Sequence, residues 1–462
     1  MSPTGRPKGE SRSAQREGTP TNPPGRPRGE YRGAQREGNP SALRGNQVAG
    51  LAAAIAEIRP LTAPADLLLH HYFRRHPEVG RADRAVITEG VFAYLRRRRS
   101  IEALAGTTQP MKLALATLVR AQGLSVRELE DVARAADVRW LREFKARPDD
   151  ALGAATLAEL PDWLWDRLGA AYGDAARAEI ARALLAPATL DLRVNTLRAT
   201  RDAVRARLAA DGIAALPTPW SPLGLRVEGR PSLARHPLLE DGSIEIQDEG
   251  SQLVGLLVAP KRTDMVVDFC AGAGGKTLLL GALMRSQGRL YAFDTDERRL
   301  ARLKPRLARS GLSNVQPEEI AHERDARVKR LAGKADRVLV DAPCTGIGTL
   351  RRNPDLKWRH DETALAELAA KQASILAAAA RLVKPKGRLV YATCSLLPEE
   401  NEHIVEAFLA AHPEFHAQDA AAELARAKIP LDTGPTLKLA PDTHGCDGFF
   451  AAVLERDAAG AS

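Results

Sequence analysis

Cysteine is scarce in this 462-residue chain, which has only Cys270, Cys344, Cys394 and Cys446. No two lie close enough to form the CxxC knuckle of a structural zinc site, and no paired framework of a secreted disulfide-rich domain is present. No metal site is therefore expected. Long apolar runs are also missing: nothing approaches the roughly 20 residues a membrane-spanning helix requires, and the opening MSPTGRPKGESR lacks the apolar centre of a secretory signal. These absences exclude a membrane role and lead us to expect a reduced, cytoplasmic protein. Charge is not strongly one-sided. There are 67 basic and 58 acidic residues, a net charge of +9. Residues 1–45 hold nine of the basic and four of the acidic residues, so more than half of that excess sits in the tail. A polyanionic partner is plausible on charge but not required by it.

A length of 462 residues implies several domains. The tail repeats itself: GRPKGESRSAQREGTP at 5–20 and GRPRGEYRGAQREGNP at 25–40 match at 12 of 16 positions. Rich in Gly, Pro and Arg, it buries too little apolar surface to fold, and reads as a disordered basic arm over 1–45. Residues 46–150 carry apolar residues at helical spacing in VAGLAAAIAEI, ITEGVFAYL and MKLALATLV. Thr62-x-Pro64 marks one helix start, and Ser125-x-x-Glu128 forms a capping box predicted to open a helix over SVRELEDVARAA. The run Arg96–Arg99 reads as a solvated helix end, with phosphate contact as the competing reading.

Residues 151–245 comprise a linker and a small α+β unit. A strand is predicted in ATLDLRVNTLR, then a helix from Thr200 to about Ala210 stopped by Asp211-Gly212, then a strand in LGLRVEG. From 246 to 456 short apolar strands alternate with helices: MVVDFC, GRLYAFD, RVLVDAP and GRLVYATCS each precede a helical stretch. Residues 457–462 form a closing tail. Such alternation implies a mainly parallel sheet covered on both faces, an α/β fold whose ligands sit at the C-terminal strand ends.

The first strand leads into Asp268-Phe269-Cys270-Ala271-Gly272-Ala273-Gly274-Gly275-Lys276-Thr277, a glycine-rich strand-to-helix turn. A Walker A loop fails because Cys270 stands where its first glycine belongs, and a dinucleotide fingerprint is incomplete because Thr277 occupies its last glycine. Asp294 ends the second strand, where a carboxylate accepts hydrogen bonds from a ribose diol. NAD and S-adenosyl-L-methionine both carry that diol, and Asp294 does not choose between them. Two later strands end in Asp341-Ala342-Pro343-Cys344 and Thr393-Cys394-Ser395, bringing two thiols and an acid to one sheet edge. Methylation of an unactivated pyrimidine carbon needs that set. A thiolate adds at cytosine C6 so that C5 becomes nucleophilic, a second group helps the adduct collapse, and Asp341 can hydrogen-bond the N3/N4 edge. The base must be unstacked to be reached. Spacing alone does not say which thiol attacks.

At this point the chain resembles the RsmB/NOL1/NOP2/Sun family of RNA 5-methylcytosine methyltransferases. The resemblance rests on LRVNTLR (192–198), QDEGSQ (247–252), DFCAGAGGKT (268–277), DAPCTGIGTLRRNPDLKWR (341–359), YATCS (391–395), PEENE (398–402) and DGFFAA (447–452). It implies a Rossmann-like methyltransferase domain behind a small α+β domain and an all-α NusB-like RNA-binding domain, with GRADRAVITEGVFAYLRRRR (80–99) as that domain's best-matching stretch. It also implies Cys394 as nucleophile and Cys344 as the thiol that assists release. Contacts to S-adenosyl-L-methionine fall on Cys270, Ala271, Gly272, Ala273, Gly274, Gly275, Lys276, Asp294, Asp325 and Asp341, and Lys276 is placed against the substrate as well.

The implied substrate is RNA, ribosomal before transfer RNA, and a monomer is the default. The family usually has Ala-Pro where Gly272-Ala273 stands and Thr where Cys446 stands; no functional side chain is lost at either place, and Cys446 reads as structural. The loop Thr349–Arg359, with Arg351, Arg352, Lys357, Arg359 and Trp358, is expected to engage phosphate and stack a base. A ribosome-assembly factor without turnover and a nicotinamide oxidoreductase are the competing readings; two thiols have no role in hydride transfer.

Overall fold

The computed structural model describes residues 43–229 and 231–458. The repeat arm up to residue 42 and the last four residues lie outside them. Five helices come first: α1 (Gly45–Ile58), α2 (Ala65–Arg75), α3 (Arg81–Ala105), α4 (Pro110–Arg120) and α5 (Ala135–Ala146). The first begins at Gly45, at the end of the span assigned to the tail. Their apolar stripes, including Leu51, Ile55, Val91, Leu95 and Leu115, close on one core. Ser125 and Glu128 do exchange backbone-to-side-chain hydrogen bonds, at 2.8 and 3.3 Å. The helix expected there is only a 3-10 turn, Arg127–Leu129. Of residues 125–134 only Leu129 is fully buried, with Val126, Val132 and Ala133 partly buried against the helical core.

After the helix Asp162–Leu185, a small antiparallel sheet is built from β1 (Leu190–Val194), β2 (Ala215–Pro217), β3 (Gly224–Val227) and β4 (Ile244–Ile246), in the order β2-β3-β1-β4. The helix Arg201–Ala210 packs on it, capped by Thr200, whose side chain accepts from the Ala203 N–H.

The large sheet contains β5 (Met265–Asp268), β6 (Arg289–Asp294), β7 (Val315–Glu319), β8 (Ala335–Asp341), β9 (Val383–Thr393), β10 (Phe415–Gln418), β11 (Leu437–Leu439) and β12 (Phe449–Arg456). Its order is β10-β12-β9-β8-β5-β6-β7, with β11 on β12. The five strands β5 to β9 are parallel, and β12 joins β9 antiparallel, with Phe450 opposite Thr393. Period-two alternation feeds two cores. Val266, Leu290, Leu339 and Val390 face one layer of helices; their neighbours Val267, Tyr291, Val338 and Leu389 face the other. Asp268, Asp294 and Asp341 therefore each end a parallel strand on the same edge of the sheet, and Cys394 immediately follows β9 there. Among the described residues no helix is long and apolar enough to cross a membrane, and no metal-ligating cluster of His, Cys, Asp and Glu occurs.

The run Arg96–Arg99 is not the solvated helix end expected. It lies inside α3, which breaks at Arg97 (φ −115°, ψ 21°). The N–H groups of Arg99 and Ser100, which a regular helix would pair with the carbonyls of Leu95 and Arg96, donate instead to Glu159 Oε2 at 3.0 and 3.3 Å. Those two carbonyls accept from Trp358 Nε1 at 2.8 Å and Lys357 Nζ at 3.1 Å. Three of the four arginines turn to protein partners: Arg96 donates to the Arg351 carbonyl, Arg98 pairs with Glu102, and Arg99 pairs with Asp162.

Candidate active site

The glycine-rich loop after β5 is held at nearly every rung. Phe269 N–H donates to the Leu339 carbonyl, Ala271 N–H to the Phe293 carbonyl, and Gly272 N–H to Asp294 Oδ2, each at 2.8 Å. Two arginines pull from the other side: Arg306 donates to the Ala273 carbonyl, and Arg193 Nη1 to the Gly275 carbonyl at 2.6 Å. Arg193 also binds Gln247 Oε1 at 2.6 Å, so the LRVNTLR and QDEGSQ stretches meet beneath the loop. Burial pushes the Arg193 guanidinium down to about 10, leaving it charged at neutral pH. Gly274 has φ 82°, and a Cβ there would meet Leu303 Cδ1 at 2.2 Å, so only glycine fits. Gly272 also has positive φ, but a Cβ there would face open space.

Three carboxylates and one lysine surround this loop. Asp268 accepts from Thr277 Oγ1 at 2.6 Å, while its Oδ1 is buried without a partner. Burial raises Asp268 to about 7. Asp294 ends β6 and also accepts the Asp296 N–H at 2.8 Å. Asp341 Oδ2 pairs with Lys276 Nζ at 2.7 Å, and the ammonium lies 5.3 Å from the Phe449 ring centroid. Burial works against charge on Lys276, yet Asp341 outweighs it and raises its pKa. The excess of carboxylate over lysine and the unpartnered Asp268 oxygen suit a cationic ligand that donates hydrogen bonds.

Beside this, Cys344 Sγ and Cys394 Sγ stand 3.4 Å apart, both half-buried and free of disulfides. The hydrogen bond with Cys394 and then burial raise the Cys344 thiol well above its ordinary pKa, so it is neutral in this state. Cys394 lies near enough to Lys276 to favour the ammonium's charge. Cys270 packs against the second core of the sheet, and burial raises its pKa; what it offers a ligand is backbone rather than thiolate. Cys446 is fully buried in the first core, which matches a structural role.

The structure brings Cys394, Cys344, Asp341 and Lys276 together, with Asp268, Asp294 and residues 270–275 along the same edge. Asp325 lies six residues beyond β7, where its two carboxylate oxygens accept the Ala321 and Arg327 N–H groups at 3.0 and 2.8 Å and cap a short helix. The Thr349–Arg359 loop is not the free basic loop expected. Arg351 and Arg352 pair with Asp447, Arg352 also with Asp248, and Arg359 with Asp355, while Lys357 and Trp358 close the break in α3. Counting cations said nothing about these partners, which are more than 80 residues away in every case but Arg359. Sequence reasoning also missed the work of Arg193 and Gln247, although both stood inside quoted motifs. The roles of Gln372, Glu400 and Asn401, buried around the thiols, were likewise missed, although Glu400 and Asn401 stood inside the quoted PEENE stretch.

A family model described as 16S rRNA methyltransferase RsmB/F matches residues 255–455, and one for the ferredoxin-like domain of such methyltransferases matches 160–234. The ribosomal RNA small subunit methyltransferase B of Sodalis glossinidius is 36% identical over 322 residues, covering 69% of this chain and 71% of that protein. The probable enzyme of that name from Synechocystis is 29% identical over 425 residues, covering 85% and 95%. The crystal structure of PH0851 superposes with a TM-score of 0.72 at 27% identity, covering 90% of this chain and all of that one. The anionic site fits the cofactor such enzymes use. The chain belongs to the 16S rRNA methyltransferase RsmB/F family and is an RNA methyltransferase whose cofactor is S-adenosyl-L-methionine.

Proposed function

We propose that this enzyme methylates C5 of a cytosine in small-subunit ribosomal RNA through a covalent adduct between Cys394 and C6 of the base. The observation that carries this reading is the pair of sulfurs 3.4 Å apart at the ends of adjacent parallel strands, beside the Lys276–Asp341 pair. When bound, S-adenosyl-L-methionine supplies an electrophilic methyl group on a sulfonium. Asp294 and the backbone of 270–275 hold it, Asp294 receiving the ribose diol, with Asp268 and Asp341 lending negative charge. Asp325 is a further cofactor contact in this reading, at the cost of sharing its oxygens with the two N–H groups it caps.

Cys394 acts as the thiolate, helped by the nearby Lys276 charge, and its sulfur bonds to C6. Electron density moves to C5, which takes the methyl group. Asp341 binds the N3/N4 edge and steadies the adduct. The C5 proton then passes to solvent water, the C5–H electron pair re-forms the C5–C6 double bond, and the C6–S bond breaks to restore Cys394 as thiolate; Cys344, next to the departing sulfur, assists this release. Ribosomal RNA is favoured over transfer RNA because the relatives bear that name.

Cys344→Ala is expected to accumulate a covalent enzyme–RNA adduct that mass spectrometry maps to Cys394, and Cys394→Ala to form none. No methyl transfer by the unaltered enzyme to any cytosine-containing ribosomal RNA would end the proposal, and an adduct on Cys344 would exchange the two roles.

A further inference from the structure

Both thiols sit in short turns that regular sheet hydrogen bonds do not fix, and in each turn the residues flanking the cysteine are clasped by side chains. Around Cys394, Asn401 Oδ1 accepts from Thr393 Oγ1, and Asn401 Nδ2 donates to the Ser395 carbonyl at 3.1 Å. Around Cys344, Glu400 Oε1 accepts the Thr345 N–H at 2.8 Å, its Oε2 accepts from Thr345 Oγ1, and Gln372 Nε2 donates to the Pro343 carbonyl at 2.9 Å. Gln372 Nε2 also donates to Glu400 Oε1 at 3.0 Å, and Tyr391 Oη donates to the Glu400 carbonyl at 2.6 Å. Glu400 is wholly buried and Asn401 4% exposed, so water does not compete with these bonds. The two clasping residues are consecutive. Asn401 is non-helical (φ −114°, ψ −98°), between the 3-10 turn Pro398–Glu400 and the helix Glu402–Ala411.

We infer that Glu400 and Asn401 are positioning residues that yoke the two cysteine turns to one backbone step and so set the spacing of the two sulfurs for attack and release. Neither touches the sulfurs by a hydrogen bond; each acts through the residues on either side. A charged carboxylate fits the Cys344 side because Thr345 presents two donors and Gln372 a third. Its negative charge also disfavours a Cys344 thiolate, which helps keep that thiol protonated.

The chemical role of the spacing rests on the thiol mechanism proposed above, but the spacing itself can be tested without it. Phenylarsine oxide is a suitable probe: its arsenic forms one bond to each of two thiols and releases one water, so its capture needs two close sulfurs. In the full chain, Asn401→Ala and Thr393→Val each remove two buried hydrogen bonds of the Cys394 turn and are expected to slow dithiol capture, followed by intact mass, at least about tenfold. Capture of either single thiol by iodoacetamide should change less than twofold. Methyl transfer to ribosomal RNA should fall on the order of 100-fold in kcat, with KM for S-adenosyl-L-methionine unchanged, as misplacing reacting groups does.

Glu400→Gln keeps an acceptor for the Thr345 N–H but loses the charge, and is expected to speed Cys344 alkylation at pH 8 while slowing dithiol capture only mildly. Thr393→Val removes a hydroxyl without removing a buried amide, and it decides the matter should Asn401→Ala fail to fold. Unchanged dithiol capture and kcat in folded Thr393→Val and Glu400→Gln would overturn the yoke. Slowed capture in an enzyme that never transfers methyl to cytosine would leave the yoke standing and remove the mechanism instead.

Discussion

The glycine-rich loop after β5 and the break in α3 both leave regular backbone geometry, and they are finished in opposite ways. In the loop, protein groups hold the outer rungs while a buried carboxylate oxygen of Asp268 is left without a partner. At the break, both N–H groups and both carbonyls released from the helix find new partners, from Glu159, Trp358 and Lys357. The difference separates a binding site from a joint. A binding site leaves polar capacity for a ligand, and a joint leaves none, because buried unsatisfied groups are costly.

The largest test of that distinction is Gly274→Ala. A left-handed φ and overlap with Leu303 together are expected to cost about 3 kcal/mol locally. Affinity for S-adenosyl-L-methionine should then fall about 100-fold by calorimetry. Glu159→Ala strikes the joint. It orphans the Arg99 and Ser100 N–H groups, so unfolding by denaturant should show a loss of about 3 kcal/mol with cofactor affinity unchanged. A fall in cofactor affinity there would erase the contrast.

A smaller effect is pH-dependent. Asp268, raised to about 7, is mostly protonated at pH 6 and mostly ionised at pH 8. The ionised form attracts the sulfonium, so cofactor binding should tighten up to about tenfold across that interval and release a proton, a slope that Asp268→Asn should abolish. The smallest is Trp358→Phe, which keeps the ring but frees the Leu95 carbonyl; thermal unfolding should show a loss of about 1 kcal/mol. An unchanged melting temperature would mean that the joint does not depend on that bond.

What could be read in advance follows the range of the forces involved. Strand alternation and strand-to-helix turns are local patterns, so the α/β layout, the helix after Thr200 and the edge holding Asp268, Asp294, Asp341 and the two cysteines were all legible. The roles of Cys344 and Cys394 were not; they came from resemblance. Arginine is where local reading failed. Arg96, Arg99, Arg351 and Arg352 look like phosphate ligands by composition, yet their partners Asp162, Asp248 and Asp447 come from other parts of the chain. A guanidinium bonded to protein and one free for RNA have the same sequence signature. The capping box at Ser125 failed for a related reason. Its hydrogen bonds formed, but a local cap does not by itself carry a helix past its first turn.

The break in α3 also bears on the order in which the chain can fold during synthesis. The helix lies within the first quarter of the sequence, but the donors for its two freed carbonyls lie 261 and 263 residues downstream. Until the ribosome has delivered Lys357 and Trp358, Leu95 and Arg96 have only water or their own helix to bond to. The nascent segment has reason to remain a straight, unbroken helix at first. The bend is then the last feature of the helical region to form, installed by the same loop that carries Cys344 into the site.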